Sequence, residues 1–112
     1  MPASVTILDG QSLSAAFGLG GASIGAIIVP SGWNAADITL QIALDGTNFY
    51  DVYDDQDNEV VFQAGASRVI LIDNFAQLLA IGEGASYKLR SGTTGVPVNQ
   101  TGDVTLSVIA VS

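Results

Sequence analysis

A chain of 112 residues has room for one hydrophobic core and is too short for two. Only 12% of its residues are charged, and eleven carboxylates face three cations (Arg68, Lys88 and Arg90) for a net charge of −8. That balance excludes the basic track that nucleic acid or an anionic membrane requires, and with no histidine or cysteine there is no disulfide, no thiolate chemistry and no imidazole base or metal ligand.

The surface of so small and so weakly charged a domain must be neutral and partly apolar, so either the protein is poorly soluble or, as is expected here, part of that surface is covered by partners. The acidity serves solubility or complements a basic patch on a protein. Met1 to Gly10 lacks the basic and long apolar regions of a signal peptide, and Ala26-Ile27-Ile28-Val29 is far short of the ~20 residues a membrane helix needs. Synthesis in a host cytoplasm without export is the expectation.

Period-two alternation runs through the chain. Val5 and Ile7 alternate with Ser4 and Thr6 in a first strand, and Leu13, Ala15 and Phe17 with Ser12 and Ser14 in a second. Gly18-Leu-Gly-Gly21 breaks the chain, and a third strand runs over 23–29 to Pro30. Ile38, Leu40, Ile42 and Leu44 form the cleanest half-buried strand. Asp45-Gly46 then predicts a hairpin, with a loop of about four residues, into the aromatic run 49–53. The polar stretch 54–59 makes a turn, and strands over 60–63 and 67–72 are joined across Ala64-Gly-Ala66.

Residues 75–81 read either as a helical turn or as a strand. Residues 86–90 form a strand with Tyr87 and Leu89 on one face, a long loop covers 91–102, and Val104, Leu106, Val108 and Ala110 close the domain. Eight to nine short strands predict one all-β domain over 1–112, a small antiparallel β-sandwich or jelly-roll-like barrel of about eight strands. Residues 26–29, 69–72 and 108–111 are apolar on both faces. A sandwich strand normally wets its outer face, so these point to a covered outer surface, or alternatively to a barrel corner or covering loop.

Catalytic equipment is missing. Gly18-Leu-Gly-Gly21 lacks the Lys-Ser/Thr of a phosphate loop and reads as a strand-linking turn. Nothing singles out two of the eleven acids as a hydrolytic pair. No enzymatic activity and no cofactor are expected. Asp55, Asp57 and Glu59 alternate in a turn and form a weak Ca²⁺ candidate, without the glycine and distal bidentate glutamate of a helix-loop-helix site; a solvated hairpin tip is the plainer reading. Trp33, Tyr50 and Tyr53 are candidates for protein or glycan contact, with Trp33 alternatively plugging one end of the core. Asn99-Gln-Thr101 is formally a glycosylation sequon, with nothing to indicate a secretory pathway.

Several segments carry a family resemblance: Val29-Pro-Ser-Gly-Trp33-Asn-Ala-Ala36, Ile38-Thr-Leu-Gln-Ile-Ala-Leu-Asp-Gly46, Phe49-Tyr-Asp-Val-Tyr-Asp54, Ala66-Ser-Arg-Val-Ile-Leu71, Lys88-Leu-Arg-Ser-Gly92 and Val98-Asn-Gln100. Over roughly residues 24–111 the chain resembles the small accessory proteins encoded in tailed-phage and prophage structural gene clusters. The resemblance implies a virion component on the capsid exterior: a decoration, or cement, protein that binds the major capsid protein and copies of itself. A tail, neck or fibre position, or a carbohydrate-binding module, are the alternatives.

Overall fold

The computed structural model describes residues 2–20, 22–72 and 85–111. Within them are nine strands and no helix: β1 (Pro2–Ile7), β2 (Phe17–Gly18), β3 (Ser23–Val29), β4 (Ile38–Ala43), β5 (Tyr50–Asp51), β6 (Val61–Phe62), β7 (Arg68–Leu71), β8 (Ser86–Ser91) and β9 (Val104–Val111). They form two antiparallel sheets. The first has the order β1-β9-β3-β7; the second has the order β2-β8-β4-β5, with β6 also on β4. No helix among the described residues is long and apolar enough to cross a membrane.

β5 and β6 lie end to end along one edge of β4: Ile42 pairs with Tyr50 and Gln41 with Asp51, then Thr39 pairs with Val61 and Ile38 with Phe62. They act as one edge strand interrupted by an insert, residues 52–60. The insert closes on itself through Val60 N–H to Val52 O and the Tyr53–Glu59 bridge. Counted this way there are eight strand positions, and their order in the two sheets is that of a jelly roll. The expected β-sandwich of about eight strands is therefore the fold.

The inner faces supply the core. Val5, Ile7, Ile27, Val29, Leu106 and Val108 of the first sheet meet Ile38, Leu40, Ile42, Tyr87 and Leu89 of the second, all buried. Each such Leu or Ile contributes about 1.5–3 kcal/mol relative to exposure. Ile24 and Ile27 are three apart and would face opposite ways in a regular strand. The register shift between Ile24 and Ala26 turns both inward.

Two local expectations are corrected. The second predicted strand shrinks to Phe17–Gly18, with Leu13 kept only as a lone bridge to Arg90. The cause is Ser14, which is buried and whose hydroxyl accepts the Leu89 N–H at 3.0 Å, replacing a backbone carbonyl in the ladder. The hairpin after β4 has residues 43–49 beyond its last pair rather than about four, because Asp45 turns back to accept the N–H groups of Thr47 and Asn48. β6 and β7, consecutive in sequence, belong to different sheets, so the link between them crosses the sandwich. The expectation for residues 75–81 lies outside the described residues.

Candidate functional site

The two outer faces differ in chemistry, and the difference follows from which strands are neighbours. The three strands that are apolar on both sides, β3, β7 and β9, lie side by side in the first sheet. Cross-strand pairs Ile28–Val69, Ala26–Leu71 and Ala26–Ile109 gather their outward residues into one patch. Ile28, Val69 and Leu71 are 40%, 56% and 76% exposed. Toward β1 the face becomes polar but stays uncharged, with Ser4 opposite Ser107 and the Thr6 and Thr105 hydroxyls bonded at 2.9 Å. Arg68 opens β7 opposite Val29, on the inward side, with its guanidinium over Gly65. The described outer face of this sheet thus carries no charge.

On the second sheet the outer face is polar and tied together by one cation. Arg90 on β8 is buried, donating to Asp51 on β5 at 2.6 Å, to Thr94 at 3.0 Å and, at the limit of contact, to Glu59 at 3.5 Å. Glu59 in turn accepts the Thr94 hydroxyl at 2.6 Å and the Thr94 N–H. Gln41 donates to Asp51 at 3.2 Å. The network ties the root of the insert and the 93–96 loop to the middle of the sheet. Sequence reading missed it. The available signal was a lone arginine on the polar side of a strand in a chain with three cations.

Several carboxyls titrate low. Burial raises the Asp51 pKa, but the Arg90 and Gln41 hydrogen bonds and the Arg90 charge outweigh it, so the net shift is downward. Asp45 is brought to about 2 by the N–H groups of Asn48 and Thr47, and Asp54 is lowered by those of Asn58 and Gln56. A carboxyl whose folded pKa lies below its unfolded value of about 3.9 stabilises the fold above that value. It loses that contribution as pH falls through the folded one. The urea midpoint is accordingly expected to hold down to about pH 5 and to fall steadily below about pH 4. An Asp51→Asn variant should show a shallower fall, and an equally steep fall would remove Asp51 from the account.

The residues singled out from the sequence are dispersed. Trp33 is buried, and its indole N–H donates to Ala36 O at 3.0 Å, so it is part of the core and offers no open ring face. The buried Gln100 holds the Trp33 loop from outside, accepting Asn34 N–H at 2.8 Å and donating to Asn34 O at 3.2 Å. Tyr50 and Tyr53 are exposed, on the edge strand and in the insert. Asp55 and Asp57 point to solvent at the tip of the insert, while Asp54 organises that turn and Glu59 is engaged by Thr94 and Arg90. The Ca²⁺ candidate trio is therefore not gathered around a point, and among the described residues no group of three or more acids could hold a metal ion. The break after β2 is a turn closed by Ala22 N–H to Leu19 O, with Gly20 at positive φ.

Compared with protein-family models, with curated proteins and with solved structures, the chain matches none of them.

Proposed function

We propose that this chain is an assembly protein that works by docking: a decoration protein on the exterior of a tailed-phage capsid, bound to the major capsid protein and stabilising the head. The observation that carries the docking mode is the uncharged outer face of the first sheet, with Ile28, Val69 and Leu71 side by side in water. A contiguous exposed apolar patch depleted of charge has the character of an interface core. The phage context comes from the resemblance of the 29–54, 66–71 and 88–100 segments to accessory virion proteins. Jelly rolls recur in viral capsids, which adds support by fold-level analogy alone. No catalytic step is assigned to the chain.

The decisive experiment is mass spectrometry and cryo-electron microscopy of purified particles. Copies in the hundreds on the head lattice, and loss of heat or osmotic resistance in particles lacking the protein, are the expected results. A few copies at one vertex or along the tail would move the protein to a neck, tail or fibre role. Absence from the particle would end the virion reading. Exposed Tyr50 and Tyr53 would then favour a carbohydrate-binding module, without Trp33, whose ring is enclosed.

A further inference from the structure

Sheet edges differ in how well they are protected. The β1 edge carries Ser4 and Thr6 on its outer face, β2 is two residues long, and the β5–β6 edge is interrupted by the insert. β7 carries neither proline nor lysine; its one charge, Arg68, sits at its first position with the guanidinium over Gly65, and the strand turns Val69 and Leu71, both more than half exposed, toward solvent.

The hydrogen-bond phase of β7 is known from its end. Ile72 N–H donates to Gly25 O at 3.0 Å, and the pairing is antiparallel with Ile70 opposite Ile27 and Arg68 opposite Val29. Residues 68, 70 and 72 therefore direct their backbone groups at β3, and Val69 and Leu71 direct theirs away from it, at an edge on which no described strand pairs. Those are the N–H and C=O groups that an added strand would engage.

We propose that the strand added there is β7 of a second copy, joined by a two-fold axis through Ile70, so that the two first sheets become one continuous sheet. The inference rests on the assembly reading above in treating this face as an interaction surface, and adds its occupant and register. In an antiparallel pair centred on Ile70, Val69 of each copy lies opposite Leu71 of the other. Both pairs are of the hydrogen-bonded type and together close four N–H···O bonds. The same register sets Ile28, Val69 and Leu71 of the two copies in one apolar strip. The two Arg68 residues stand four strand positions apart, about 14 Å along the strand, and do not oppose each other.

Charge selects a second copy over a basic partner. A chain of net charge −8 can meet itself only where it carries no carboxylates. The described carboxylates lie in loops, on the insert and on the second sheet, and the described outer face of the first sheet has none. A basic partner docked there would leave its cations unpaired, whereas the two-fold mate presents the same neutral surface.

The test is sedimentation equilibrium of the isolated chain. At about 100 µM, a dimer with micromolar dissociation constant is saturated and is the expected species. Leu71→Lys places an ammonium next to the central Ile70, opposite Val69 of the other copy, and is expected to give a monomer with unchanged far-UV circular dichroism. Val69→Lys is the independent check should that variant fail to fold. Thr105→Lys, on the same outer face but away from the edge, should remain dimeric. A monomeric wild type, a dimer that survives both lysine substitutions, or a trimer or larger ring would each overturn the proposal. The measurement needs no virion, so a monomeric chain found in hundreds of copies on capsids would refute the pairing and leave the decoration role standing.

Discussion

Arg90→Ala is expected to lower stability by about 3 kcal/mol, a substantial share of the 5–15 kcal/mol that holds a domain of this size together. The guanidinium is buried between Asp51, Glu59, Thr94 and Thr39, and both carboxylates are themselves largely shielded from water. Removing the cation leaves Asp51 and Glu59 without their shared partner in a poorly solvated site, and that penalty exceeds the net worth of the intact pairs. Lysine keeps the charge but not the planar fork that reaches several acceptors, so Arg90→Lys should recover only part of the loss. Urea denaturation of the three proteins measures this directly. Hydrogen exchange locates it: the Thr94 N–H, bonded to Glu59, should exchange faster in Arg90→Ala. A shift below about 1 kcal/mol would put the network in the class of weak surface ion pairs.

The second large effect is expected at Gly92, where Gly92→Ala should cost about 3 kcal/mol. Its φ of +93° lies outside what an L side chain adopts readily, and a methyl there would collide with the Val96 carbonyl oxygen and stand 2.7 Å from the Val98 nitrogen. The neighbours are backbone and have no rotamer into which to retreat. They are also held: Gly92 N–H donates to Asp37 O at 2.6 Å, Thr39 Oγ1 donates to Gly92 O at 2.9 Å, and the Ser91 hydroxyl bonds the Val98 carbonyl. Gly95, three residues on, has open space around its Cα and no positive φ, so Gly95→Ala should stay within about 0.5 kcal/mol of wild type. Similar midpoints for the two variants would mean that the loop repacks around the methyl. Because this loop carries Thr94, a destabilised Gly92→Ala should also weaken the Arg90 network, and the two losses should combine non-additively.

The ordinary strands were legible because burial on one side of a pleated strand writes a period of two into the sequence. Ile38, Leu40 and Ile42, or Val104, Leu106 and Val108, show that period, and all six point into the core. Trp33 was less legible, since a loop aromatic reads equally as plug or as binding surface until its neighbours are known. Alternation along a turn says nothing about where carboxylates converge: Asp55 and Asp57 stay at the acidic tip while Glu59 leaves it for Thr94, thirty-five residues away.

Composition and alternation by themselves determined an all-β domain, its principal strands, its acidic and weakly charged surface, and the existence of strands apolar on both faces. All of these are properties of a residue and its near neighbours. The tertiary structure alone decided that β3, β7 and β9 adjoin and pool their outward residues, that β5 and β6 are one edge strand split by an insert, and that Arg90 meets one acid from β5 and one from the insert. Which strand lies beside which is set by pairings such as Ala3 with Val108, between residues at opposite ends of the chain. A periodic pattern specifies the face a strand buries and is silent about its neighbour, so the apolar patch could be anticipated strand by strand but assembled only in the fold.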